Sequence, residues 1–236
     1  MDVGISVLST LQEQDNREIL RSGIRRFFVV NGYEEVVSFL RHWNFSASES
    51  RHLRTGDFST MYTSLPLAQL KNNVAFALAE AWIYMADKFS CEETEMRLVW
   101  NSDAPCSWVR IRSSSREKLH SSNKHSFTIE ELQRLISWLV DNTFVVNGGV
   151  CRRQIIGLPM GTNCAPALCN LCLFAWECQF VEKLLKQKRI EEAKSLHMTF
   201  RLIDDVLSVG STCHDEFFNS CYPTFLTLND TTLQGW

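Results

Sequence analysis

Apolar positions recur at helical spacing early in the chain. Residues 14–43 read as helical, with a break near Asn31 and Gly32. In "YEEVVSFLRHW", Val36, Val37, Leu40 and Trp43 share one face. The polar stretch "SASESRHLRTG" (46–56) reads as a connector. "DFSTMYTSLP" predicts a strand that begins at Asp57 and turns at Pro66 into an amphipathic helix running to about Lys88. The pattern then fails over 89–125, where Ser, Asn, Asp and Pro accumulate, and this part reads as an insertion or long loop. Periodicity returns at Ile129, Leu132, Leu135, Ile136, Leu139 and Val140, behind a capping box formed by Thr128 and Glu131. "FVVNGGVCRRQ" predicts two short strands about Asn147-Gly148-Gly149. A loop, "GLPMGTNCAP", leads into a Cys-rich buried helix, followed by a basic helix to about Ser195. "MTFRLIDDVLSV" (198–209) reads as strand, two-residue acidic turn, strand. The tail "YPTFLTLNDTTLQGW" looks like the start of another strand and stops as if cut from something longer.

Composition narrows the classes. The chain has 236 residues, 45% hydrophobic and 22% charged, which suits one globular domain or one with an appendage. No signal peptide is recognisable, and the longest apolar segment, "VAFALAEAWIYMA", is interrupted by Glu80 and too short to span a bilayer. No membrane partner is expected, and the setting is intracellular, in nucleus or cytoplasm. The net charge of −3 does not advertise nucleic-acid binding, but its distribution is uneven. From Trp108 to His125 five Lys or Arg face the single Glu117. Taken alone, that stretch reads as a solvated face or loop. The nine cysteines, without a secretion signal, imply free thiols. Cys164, Cys169, Cys172 and Cys178 have a spacing superficially like an iron–sulfur site, yet they do not fall on one helical face and read as small apolar fillers.

The acidic pair is the chemical anomaly. Asp204 and Asp205 sit between Phe200, Leu202, Ile203 and Val206, Leu207, Val209, where two carboxylates repel each other and resist burial. A divalent cation would compensate them, and Mg²⁺ takes one or two carboxylates while sharing the phosphates of a substrate. Asp57, opening its own β-rich run, could add a third carboxylate, enough to hold two ions about 3.5–4 Å apart. Either motif alone is as compatible with an exposed turn. Their order, Asp, Gly-rich loop, Asp-Asp, is more specific.

"DFSTMYTSLP", "GLPMGTNCAPAL" and "FRLIDDVLSV" resemble palm motifs A, B and C of reverse transcriptases, most closely those of Penelope-like retroelements, relatives of telomerase. The resemblance runs from about residue 50 to the end. It implies an α+β fold, a mostly antiparallel sheet backed by helices. Residues 1–50 would form an N-terminal helical segment, fingers-like or a connector. Residues 51–236 would form the palm, interrupted by the insertion at about 89–125 and ending before the primer grip and thumb.

The resemblance also implies roles. Asp57, Asp204 and Asp205 would hold two Mg²⁺ or Mn²⁺ ions and carry catalysis. The Phe58 backbone carbonyl would complete that site. Tyr62 would lie under the sugar and exclude a 2′-hydroxyl. Pro159, Met160 and Gly161 would form the loop beneath the incoming nucleotide, Gly161 allowing close backbone approach. Arg152, Arg153, Lys183 and Lys186 would contact phosphates. The implied partners are an RNA template, a DNA primer and deoxynucleoside triphosphates. Three departures stand out. Leu202 replaces the usual aromatic residue before the aspartates, and Arg21, Arg25 and Arg26 match no triphosphate-gripping motif. A GIY-YIG endonuclease is absent. The alternative is an inactive palm remnant that binds nucleic acid or a protein. Tyr62 argues against a polymerase of ribonucleotides, and the Gly-rich loop against a two-metal nuclease.

Overall fold

The computed structural model describes residues 2–42, 53–111, 124–158, 162–226 and 228–233. In chain order the elements are α1 (Asp2–Ser22), α2 (Tyr33–His42), β1 (Leu53–Phe58), α3 (Met61–Ser64), α4 (Leu67–Lys88), β2 (Met96–Asn101), β3 (Ala104–Arg110), β4 (Lys124–Phe127), α5 (Ile129–Asp141), β5 (Phe144–Asn147), β6 (Val150–Arg153), α6 (Ala165–Lys186), α7 (Ile190–Ser195), β7 (Thr199–Leu202), β8 (Asp205–Val209), α8 (His214–Ser220) and β9 (Leu228–Leu233). The fold is α+β. Two compact units are formed, Met1–Gln14 with Pro66–Cys172 and Asp15–Leu65 with Leu173–Trp236. Among the described residues no helix is long and apolar enough to cross a membrane.

In the first unit α4 packs on α5, and Lys71 reaches Asp141 at 2.9 Å. The N-terminus of α1 approaches α6 so closely that a Cβ on Gly4 would meet that of Ala167 at 2.7 Å. The capping box of α5 is present in full: the Glu131 amide donates to the Thr128 hydroxyl at 3.1 Å, and the Thr128 amide to the Glu131 carboxylate at 2.9 Å. The hairpin β5–β6 turns through Gly148 and Gly149, both at positive φ, as a tight two-residue turn requires. Segment 89–125, expected to be irregular, instead holds an antiparallel sheet in the order β3-β2-β4. Its apolar residues Met96 and Leu98 are fully buried, a strand pattern masked by the polar flanks. Most of the basic stretch 108–125 lies outside the described residues.

The second unit is built on an antiparallel sheet in the order β7-β8-β1-β9. Alternation along β1 sends Arg54, Gly56 and Phe58 to the buried face and Leu53, Thr55 and Asp57 to the other. The C-terminal part of α6 and α8 back the buried face, where Phe180 and Phe217 pack edge to face at 5.4 Å. On the open face, α2 sets Val36, Phe39 and Leu40 against the cluster of Val30, Met198, Phe200 and Val209.

Three expectations change. The N-terminal helix spans Asp2–Ser22, and residues 24–30 are extended, not helical. Here the Val30 amide donates to the Arg201 carbonyl at 2.9 Å and the Arg201 amide to that of Phe28 at 2.7 Å, so this segment flanks β7. The β-branched and aromatic run "IRRFFVV" gives the physical reason. Second, Asp57 closes its strand instead of opening it. Third, the turn of the β7–β8 hairpin is Ile203-Asp204, and Asp205 already belongs to β8.

Candidate active site

The carboxylates are assembled by register. Asp57 pairs with Asp205 across β1 and β8, and Leu202 pairs with Asp205 across β7 and β8. Directly opposed residues have Cα atoms about 4.5–5.5 Å apart. On the other side of β1, Asn229 of β9 pairs with Asp57. A transverse row therefore crosses the sheet: Leu202, Asp205, Asp57, Asn229. Asp204 stands in the turn at its end, its carbonyl accepting from the Phe58 amide at 3.1 Å.

This row borders a cleft of about 390 Å³ on the open face. Val30, Val36, Phe200, Leu202 and Leu207 make its wall apolar, while Thr55, Asp57, Asp205, Asn229 and Thr231 give it polar groups. Burial, and then the negative charges of Asp204 and Asp57, hold the Asp205 carboxyl above its usual range. Asp205 thus feels the charge of both other carboxylates. Yet among the described residues no three Asp, Glu, His or Cys side chains close around a common point. Register therefore brings two of the three expected carboxylates, Asp57 and Asp205, side by side and leaves Asp204 in the adjoining turn. Such a donor set suits a hard cation that takes one or two carboxylates and leaves its other positions to phosphates and water.

The raised Asp205 pKa has a sign. In the window from the ordinary carboxylate pKa near 3.8 up to the raised value, the folded chain holds more protons than the unfolded one. Stability therefore falls as pH rises through that window and stays lower above it. Asp205→Asn should remove this loss, so its melting temperature at neutral pH in EDTA should equal or exceed that of the wild type. A marked fall would show that Asp205 is held by favourable contacts.

The other expected site residues are placed as follows. Phe58 is buried, its ring edge-on to Tyr222 at 4.7 Å. Tyr62 lies half-buried on α3, not on a strand. Pro159, Met160 and Gly161 lie outside the described residues. Arg152 and Arg153 are exposed on β6 in the first unit, with Arg153 Nε donating to the Asp141 carbonyl at 2.6 Å. Lys183 and Lys186 project from α6, paired with Glu216 at 2.8 Å and Glu182 at 3.8 Å.

Below the sheet is a buried group that the sequence reading did not single out. Arg201 and Glu177, both fully buried, form a two-pronged pair, Nε to Oε1 at 2.5 Å and Nη2 to Oε2 at 3.2 Å. The Tyr222 hydroxyl donates to Glu177 Oε1 at 2.9 Å. Burial, first, then the Glu177 charge push the Tyr222 phenol well above its usual pKa. A signal did exist: Glu177 is the sole charged residue between Ala165 and Val181, and Arg201 interrupts the apolar strand "TFRLI". Two lone opposite charges in apolar elements call for each other. Asn229 left no such mark, because its place depends on which strand lies beside β1.

No protein-family model and no curated protein sequence matches the chain. Solved structures do. The apo telomerase of Candida tropicalis, truncated from its C-terminal domain, is 14% identical with a TM-score of 0.59, over 99% of this chain and 39% of that one. The telomerase of Candida albicans in complex with a TWJ fragment of telomeric RNA is 15% identical with a TM-score of 0.58, over 99% of this chain and 35% of that one. The chain thus spans less than two fifths of the length of these telomerases and shares the α+β fold of the matched part.

Proposed function

We propose that the chain is the palm of an RNA-directed DNA polymerase of the Penelope-like kind, joining deoxynucleotides to a DNA primer on an RNA template. One observation carries this reading: β1 and β8 place Asp57 against Asp205, with Asp204 in the adjoining turn, on the open face of a sheet shaped like that of telomerases. Mg²⁺ or Mn²⁺ at these carboxylates supplies positive charge where negative charge develops on the transferring phosphate.

The chain's own residues supply position. Asp57 and Asp205 present carboxylates across one strand pair, and Asp204 does so from the turn. Phe58 contributes its backbone carbonyl. Phe200, Leu202 and Leu207 give the cleft an apolar wall, while Asp57 and Asp205 stay exposed to water and open to an approaching phosphate. Arg152 and Arg153 offer exposed cations to nucleic-acid phosphates, giving an affinity that falls with salt. Lys183 and Lys186 contribute less, since acidic partners already hold them.

Extension of a labelled DNA primer on an RNA template tests the proposal, with this chain and with the complete protein that carries it. Little extension is expected from the chain alone, because triphosphate grip and primer clamp are needed as well. Templated incorporation by the complete protein supports the reading. A folded complete protein inert with both Mg²⁺ and Mn²⁺ favours the remnant reading, to which the open arrangement of the carboxylates lends weight. Where extension occurs, Tyr62→Ala should reduce discrimination against ribonucleotides about tenfold or more, by freeing space at the 2′ position. Unchanged discrimination would assign Tyr62 to packing alone.

A further inference from the structure

The turn that carries Asp204 is held in an unfavourable backbone conformation. Ile203 has φ of 56°, in the left-handed region, where a β-branched residue is a genuine outlier. Such conformations persist where surrounding structure over-determines them. The Ile203 carbonyl accepts a hydrogen bond from Arg201 Nη1 at 3.1 Å. Arg201 cannot swing away: its other guanidinium nitrogens are on Glu177, and its backbone is bonded to Phe28 and Val30. Glu177 in turn holds Tyr222, whose ring packs edge-on against Phe58, the neighbour of Asp57.

We infer that Arg201 is a positioning residue for the acidic row, fixed by Glu177 and holding the Ile203 carbonyl so that Asp204 and Asp205 stand beside Asp57. One buried carboxylate then reaches both halves of the row, the turn through Arg201 and the end of β1 through Tyr222 and Phe58. The inference rests on the polymerase reading only for what the aspartates do. The geometry it assigns to Arg201 is independent of that chemistry.

Amide hydrogen exchange on this chain tests it. The Phe58 amide donates to the Asp204 carbonyl and so reports directly on the turn. Arg201→Lys keeps a positive charge opposite Glu177 but has no fork to reach Ile203 as well. Protection of the Phe58 amide should fall about tenfold, while amides farther along β1 and β8 keep theirs. A purely structural role would lower protection throughout the sheet together, and that outcome overturns the inference, as does unchanged protection at Phe58. If Arg201→Lys does not fold, the double replacement Arg201→Met with Glu177→Leu removes both charges without stranding either, and the same two outcomes decide. Failure of the polymerase reading would look different: no primer extension by the wild type, whatever the exchange pattern.

Discussion

On the polymerase proposal, Asp204→Asn in the complete protein should leave it folded and cut nucleotide incorporation by about a thousandfold. Replacing this turn carboxylate removes charge where the proposed reaction needs it, and the amide that takes its place holds a hard cation poorly. The same replacement at Asp57 should act alike, because register places Asp57 directly opposite Asp205. Melting temperatures separate this from damage to the fold. In EDTA the variants should match or exceed the wild type, since one of several mutually repelling carboxylates is gone. With Mn²⁺ added, the wild type should gain stability by mass action and the variants should gain little. Primer extension at wild-type rate by Asp204→Asn in the complete protein would remove Asp204 from the chemistry. A wild type indifferent to Mn²⁺ would count against metal binding at the row.

Arg201→Met alone should destabilise the second unit by about 3–5 kcal/mol, because Glu177 would be left charged and fully buried without its partner. Glu177→Leu alone should cost a similar amount by stranding the guanidinium. Together the two should restore part of the loss, since a buried ion pair repays little more than its own desolvation, whereas the Tyr222 hydroxyl loses its Glu177 acceptor. Denaturant unfolding of the four proteins measures this directly. Additive losses would mean that each residue is held by contacts other than the pair. The cycle isolates energy, whereas hydrogen exchange at Phe58 isolates position; a partly restored double variant should therefore be folded and still poorly ordered at the turn.

Much of the architecture was legible because local rules and tertiary packing agree there. Thr128 and Glu131 announce the start of α5, Asn147-Gly148-Gly149 the β5–β6 turn, and the break that the Asp-Asp pair makes in an apolar run the existence, though not the exact turn, of the β7–β8 hairpin. Reading failed where the tertiary partner decides. The β-branched and aromatic composition of "IRRFFVV" favours an extended segment, but its place at the edge of β7 depends on the backbone of Arg201, which no period in the segment records. Strands β2, β3 and β4 are flanked by polar residues, so their alternation was submerged. Within the site, the aspartates were visible as charges in apolar company. The placement of Asp57 at the end of β1 was not, because strand direction and extent follow from pairing with β8 and β9.

The row Leu202, Asp205, Asp57, Asn229 is drawn from four strands and exists only in one alignment of them. Side chains alternate faces along a strand, so sliding β1 by a single residue would send Asp57 down into the apolar layer and lift Phe58 into the cleft. Losing one residue between Leu53 and Gly56 is therefore chemically equivalent to deleting the aspartate, although no functional side chain has been touched. The same arrangement gives the chain a form of proofreading during folding. A misaligned sheet must bury a carboxylate beside Tyr222 and Phe217, a penalty that drives strand exchange back toward the one alignment in which the acids face the cleft.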